Sequence, residues 1–355
     1  MFNSITTNTP KFNGFMASLF LLPFVLIPAG HCIDALFNTH WLEYSLVPLM
    51  LFGLLPLADA LIGQSQHNPI EQYTTQFKHH PYLRTLPLLG LPAWLILFTW
   101  VIVDRLDQLS TWQFIGMAIS LGIVAGVSLI NVAHELIHRN TLLERRAGGL
   151  LLACTWNLAF KIEHVRGHHL QVATPADHSS AALWSTPYSF IPKAFKHNYQ
   201  RAFQLEKTRL HNRQLAWYHH EILYYAAFST SLTIAVFLLA GWQALLLFGM
   251  LSLIANLLLE LVNYVEHYGL SRKKVNGQFE KVSITHSWNS NHLLTNSLLL
   301  NLARHSDHHA NAGRPYFALR HHSQSPQLPA GYSLMVIIAL YPPLWRKLIH
   351  PRLPV

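Results

Sequence analysis

Nine of the 24 histidines in this chain fall into four clusters, His134/His138, His164/His168/His169, His267 and His305/His308/His309. Only two cysteines and few carboxylates accompany them. Imidazole suits iron, zinc, copper and nickel, and a catalytic zinc takes three ligands from protein. Nine ligands are too many for one ion and about right for two. His134 and His138 stand one helical turn apart, so both rings project from the same face. The segments His164-x3-His168-His169 and His305-x2-His308-His309 each end in neighbouring histidines. Adjacent helical residues point about 100° apart, so such neighbours are expected to serve two different ions lying close together.

A ligating imidazole needs an outer acceptor to set its tautomer and ring orientation. Glu135, Glu163, Asp177, Glu266 and Asp307 stand beside the clusters and are candidates for that role. Glu260 is a sixth, two helical turns before His267 on the same face, inside an apolar stretch where an ionisable group is costly and usually functional. Asp59 is similar but more easily solvated. His286 and His292, flanking Ser287-Trp-Asn-Ser-Asn291, are outer partners or structural. His79-His80, His219-His220 and His321-His322 read as surface or headgroup residues, and His178 as a spare ligand on an exposed loop.

The elements that must position these residues are apolar helices. The composition is 51% hydrophobic and 12% charged. Stretches near 14–33, 44–63, 86–103, 112–133, 222–241 and 243–265 are long enough, at 1.5 Å per residue, to cross a hydrocarbon core of roughly 30 Å. The expected architecture is an all-α integral membrane protein of six spans, one catalytic domain without internal repeats. A tight hairpin at Gly241-Trp242 joins the last two spans. Residues 147–160 and 331–345 are apolar but too short to span, so both are expected at the interface, and 192–221 as an amphipathic surface helix.

With the N-terminus in the cytosol, 24 of the 25 Lys and Arg lie on one side and only Arg105 on the other. The positive-inside rule therefore sets the orientation. The loop 139–221 and the region 271–355 become cytosolic, as do both termini. All four histidine clusters then share the cytosolic side, and they would still share one side in the opposite orientation. The net charge of +9 reads as topology plus attraction to anionic lipid. A nucleic-acid surface would interleave basic and aromatic residues on a soluble fold, and none is present. Cys32 and Cys154 fall on opposite sides, and two cysteines cannot build a four-cysteine iron or iron–sulfur centre. Any such electron-transfer centre must sit on another protein.

Three chemistries compete at this point. His134-Glu-Leu-Ile-His138 taken alone is the HExxH signature of a zinc protease, with Glu135 as general base, but it leaves six clustered histidines without a role. A metal transporter would want ligands near mid-membrane, whereas these gather at helix ends. A two-metal enzyme uses all nine.

The blocks HELIHR (134–139), EHVRGHHLQVATPADHSSA (163–181), NYVEHYGL (263–270) and HSWNSNH…LARHSDHHA (286–310) resemble the membrane alkane 1-monooxygenases. That family lies within the integral-membrane fatty acid desaturase and hydroxylase group. The resemblance covers roughly residues 45–320, with the blocks in the expected order. It implies a six-helix protein of the bacterial cytoplasmic (inner) membrane with a cytosolic, histidine-rich di-iron centre. The implied reaction is O2-dependent terminal hydroxylation of medium- or long-chain alkanes. Electrons would come from rubredoxin, or a similar donor, and its NAD(P)H-dependent reductase. The nine family ligand positions fall on the nine histidines above. Related outcomes of the same chemistry are desaturation, 1-alkene formation and xylene-type methyl hydroxylation. The chain departs from the family after His309, where Ala-Asn-Ala-Gly-Arg-Pro-Tyr replaces a proline and two arginines before the tyrosine. It departs again at Gly63-Gln-Ser-Gln and in a short loop after 270.

Overall fold

The computed structural model describes residues 16–69 and 81–354. The first residues of the expected first span and the pair His79-His80 lie outside the described residues. Four long apolar helices come first, α1 (Met16–Phe37), α2 (Leu42–Ile62), α3 (Pro81–Gln108) and α4 (Thr111–Ile137). Three helices of mixed polarity follow, α5 (Leu142–Ala153), α6 (160–171) and α7 (Pro187–Asn212). The fifth long apolar helix is α8 (Glu221–His267). Smaller helices α9 (Leu293–Leu298), α10 (His305–Ala310), α11 (Tyr332–Ala339) and α12 (Pro342–Ile349) complete the chain. The described strands are one short antiparallel hairpin pairing Lys274 with Phe279.

Five helices thus stand where six spans were expected, because the last two stretches run together in α8. Gly241 interrupts it with φ 70° and ψ −159°, a region essentially restricted to glycine. A straight helix would separate Ser229 from Asn256 by roughly 40 Å. Yet Ser229 Oγ donates to Ala153 O at 2.7 Å and Asn256 Nδ2 to Thr155 O at 2.8 Å. The chain therefore turns back at Gly241, at the position where the sequence placed a hairpin.

Burial ranks the long helices. In the most apolar window of α4, 72% of residues are buried, against 17% for α2. The central helix thus carries the first histidine pair. Outward faces present apolar side chains such as Leu61, Ile96 and Leu238, the kind of surface that hydrocarbon covers.

The segments outside the long helices are set by local chemistry. Thr186 caps α7 and Pro187 opens it, as the fixed φ of proline allows. Its buried residues Phe190, Ala194, Asn198, Ala202, Glu206 and Leu210 recur every fourth position, a single buried stripe on an amphipathic helix. Helix α5 packs on α4 and α8, where a side chain at Gly149 would collide with the Tyr225 ring. Asp59 is buried rather than solvated. Its carboxylate accepts from Leu294 N at 2.9 Å, Thr295 N and the Thr295 hydroxyl, capping α9. A helix N-terminus offers free N–H donors, so a buried anion is compensated there.

Candidate metal centre

The first pair sits on the last turn of α4, after a wide π-helical stretch at Ala125–Ile130. A second π-helical stretch, His164–His168, lies within α6. The i→i+5 turn winds more loosely than an α-helix, which brings His169 towards the face of His164. His267 ends α8, and α10 carries the last three.

These elements gather the nine imidazoles into two groups, with the ligand atoms of each within 4.8 Å of one another. One group is His134, His138, His164, His169 and His308, and the other His168, His267, His305 and His309. Each adjacent pair is divided between the groups, so the two rings of a pair do face different centres.

In the five-membered group His164 Nε2 lies 2.9 Å from His134 Nε2, 3.1 Å from His138 Nε2 and 3.0 Å from His169 Nε2. His169 Nε2 lies 3.1 Å from His308 Nε2. A neutral imidazole has one N–H, so hydrogen bonding cannot satisfy three such approaches to one nitrogen. A cation can. With metal–nitrogen bonds of about 2.0–2.1 Å, neighbouring ligand atoms at right angles stand about 3 Å apart. In the four-membered group His305 Nε2 lies 3.2 Å from His267 Nε2 and 3.0 Å from His309 Nε2. His168 Nε2 is buried without a hydrogen-bond partner. The residues present fit two divalent metal ions.

Protonation points the same way. Burial, with His168 nearby, pushes His138 down to about 3, and burial lowers His164, His169, His308 and His309 well below the usual range. The rings are neutral and free to ligate. Burial also opposes charge on His168, but Asp177 outweighs it and keeps that ring above the ordinary histidine value.

The six carboxylates expected behind the rings divide sharply. Asp177 Oδ2 meets His168 Nδ1 at 2.9 Å and is itself held by Ser180 Oγ at 2.6 Å. Glu266 takes a different place from the one expected. Its Oε2 lies 3.3 Å from Nε2 of His305, the nitrogen that also approaches His267 and His309. Glu135 has partners other than a ligating ring, since its carboxylate meets Arg139 Nη2 at 2.7 Å and accepts from Tyr316 N at 3.3 Å. Asp307 likewise binds Arg314 at 2.7 Å, His322 Nε2 at 2.8 Å and Arg320 N at 2.9 Å. It ties α10 to the loop that follows. Glu260 accepts from Asn198 and Asn263 at 3.3 and 3.2 Å, linking α8 to α7. Glu163 has Arg201 at 3.9 Å, and burial beside Asp177 and Glu260 pushes its carboxyl up to about 8.

Two contributors were not singled out from the sequence. Ser287 Oγ lies 3.4 Å from His267 Nδ1, and the only hint was its place between His286 and Trp288. Arg166, on α6 between the ligands of both groups, pairs with buried Glu206 and donates to Glu221 at 2.8 Å. Arg209 and Lys161 join that network at 2.8 Å each. Burial opposes the Glu206 charge, but Arg209, the Glu221 N–H and Arg166 hold its carboxyl down to about 2. A glutamate in the every-fourth-residue stripe of α7 was the readable signal.

Three of the other histidines make contacts outside the two groups. His178 is half-buried and stacks on His197 at 3.9 Å rather than lying on an exposed loop. His286 contacts Glu280 at 3.2 Å and His292 contacts Ser290 at 3.0 Å.

An apolar cavity of about 70 Å³ leads from among the long helices to His134, His164 and His305. Phe52, Val127, Leu258 and Val262 line it.

Apolar long helices, two imidazole groups at one end and a hydrocarbon-lined cavity define a membrane metalloenzyme. Residues 110–338 match the fatty acid desaturase family model. The chain is 43% identical to alkane 1-monooxygenase 2 of Pseudomonas aeruginosa, over 88% of this chain and 83% of that protein. It is also 43% identical to alkane 1-monooxygenase 2 of Alcanivorax borkumensis, over 88% and 82%. The xylene/toluene monooxygenase hydroxylase component of Pseudomonas putida is 30% identical over 69% and 66%. The chain belongs to the alkane 1-monooxygenase family, and it is an enzyme of that kind.

Proposed function

We propose that this enzyme uses O2 to hydroxylate the terminal carbon of medium- or long-chain alkanes, giving 1-alkanols. The observation that carries the reading is the gathering of nine imidazoles, eight of them buried, into two groups whose members His134, His164 and His305 line an apolar cavity. His134, His138, His164, His169 and His308 would hold one iron. His168, His267, His305 and His309, with Glu266 beside them, would hold the other. Two irons supply the redox chemistry needed to activate O2 against a strong C–H bond. The protein's own part is positional. Asp177 orients His168, the Arg166–Glu206 pair anchors the helix shared by both groups, and the cavity aligns one chain end while excluding bulk water.

In this reading six segments cross the bacterial cytoplasmic membrane, the two arms of α8 counting separately, and the metal centre faces the cytosol. An alkane enters laterally from the bilayer. Electrons come from a separate carrier, rubredoxin or similar, with its NAD(P)H-dependent reductase. Two cysteines leave no room for such a centre in this chain. Protease chemistry is disfavoured because the HExxH glutamate, Glu135, is engaged by Arg139 and not by the imidazoles. Methyl hydroxylation on an aromatic ring is the second reading, favoured by the similarity to the xylene/toluene enzyme component.

The test is NADH-driven turnover with added rubredoxin and reductase, using linear alkanes and methyl-arenes side by side. Formation of 1-alkanols with two irons bound supports the first reading. Benzylic alcohols alone would transfer it to the second, and no product from either would overturn both.

A further inference from the structure

We propose that Asn131 forms a hydroxyl-binding subsite at the metal end of the cavity, recognising the primary alcohol rather than the hydrocarbon. The inference rests on the hydroxylase reading above and assigns a residue outside the metal centre. Asn131 lies one turn before His134 on α4, so the two share a face, and both line the cavity. It is 5% exposed, and its Nδ2 has no hydrogen-bond partner. A buried donor left unpaired is costly, and an amide inside an apolar cavity needs a reason. Of the other polar residues there, Asn263 donates to Glu260 at 3.2 Å and Ser333 faces Thr295 at 3.4 Å, while the Tyr332 hydroxyl, which lines the same cavity, is likewise buried without a partner.

A saturated hydrocarbon offers Asn131 nothing. The reaction R–CH3 + O2 + 2 e− + 2 H+ → R–CH2OH + H2O creates an acceptor oxygen at the carbon nearest the metals, within the same cavity. The Nδ2 N–H donates to that oxygen, so the site discriminates product from substrate. A net hydrogen bond of this kind corresponds to roughly threefold to tenfold in affinity. Asn131 is a positioning residue. Its consequence is product retention and competitive inhibition by primary alkanols.

The test uses the full-length, iron-loaded protein in nanodiscs. Affinities for a 1-alkanol and for the alkane of equal length are measured by calorimetry, for wild type and for Asn131→Leu, which keeps the shape and removes the donor. Using the ratio of the two affinities cancels partitioning into lipid. The expected result is a threefold to tenfold fall in the alkanol/alkane ratio. In turnover the alkanol inhibition constant should rise more than the alkane KM. Asn131→Gln, which restores an amide, should recover part of the ratio, and it provides a second folded variant. An unchanged ratio in Asn131→Leu would overturn the proposal, as would equal shifts for both ligands. Should wild type oxidise no hydrocarbon yet bind alkanol through Asn131, the hydroxylase reading fails and the subsite stands.

Discussion

The two histidine groups differ in what surrounds them. Among the described residues, no carboxylate oxygen lies within 4.0 Å of a ring nitrogen of the five-histidine group. It draws on α4, α6 and α10, and its ligands are neutral rings alone. The four-histidine group draws on α6, α8 and α10 and has anionic support on two sides, Asp177 behind His168 and Glu266 facing His305. One ion would be held by ligand number, the other by fewer rings with stronger charge complementarity. A neutral donor set leaves a divalent ion's charge uncompensated in a buried site, and nearby carboxylates offset it. Electrostatically the halves of the centre are not equivalent, although both are built almost wholly from one residue type.

The largest effect expected comes from taking one ring from each group. His308→Ala and His309→Ala are neighbours in sequence, yet each should abolish activity and remove a different iron. Metal analysis and Mössbauer spectroscopy would show one iron lost in each case, with different signatures remaining. Identical remaining signatures would break the division into two groups.

Next is Asp177→Asn, which keeps shape but removes the anion behind His168. It should cost about 10–100-fold in metal affinity or activity, confined to the four-histidine ion. Glu135→Gln should leave both ion affinities near wild type while lowering thermal stability, because Arg139 loses its buried partner. Equal metal loss in the two variants would show that sequence adjacency, not contact, governs support.

A third expectation concerns the helix that both groups share. Glu206 is held down to about 2, below the unfolded value near 4.3, so its pairing stabilises the fold above that value. The contribution is lost as pH falls through 4 towards 2. Glu206→Ala leaves Arg166 and Arg209 without their buried partner, at a cost of about 3 kcal/mol, which thermal denaturation would measure. Both irons should then be lost together, unlike Asp177→Asn. Selective loss of one would show that α6 supports the groups unequally.

The smallest effect belongs to Ser287→Ala. Its contact with His267 is long, 3.4 Å, so about 1 kcal/mol is at stake, or roughly fivefold in affinity for the four-histidine ion. A loss as large as that of Asp177→Asn would mean that Ser287 does more than orient a ring.

Local chemistry made much of this legible from the sequence. Hydrophobic run length places the long helices, and Gly241 marks the turn because few residues tolerate its backbone. The i, i+4 spacing puts His134 and His138 on one face, and adjacent histidines 100° apart imply two centres. The four motif blocks identify the family. All of these depend on residues near one another in the chain.

Only the tertiary structure decided the membership of each group and the targets of the carboxylates. Glu135 and Asp307 are immediate neighbours of ligands, yet they point to Arg139 and Arg314 because the opposite face of each helix packs on the loop through Tyr316. Asp177, nine residues beyond His168, stands behind a ring because a turn folds it back. The π-helical stretches shift the register in which helical spacing is read, and no residue type announces them. The subsite at Asn131 is visible only once its amide is seen unpaired among apolar neighbours. Spacing along a chain specifies the face on which a side chain lies, whereas its partner depends on which distant segment packs against that face.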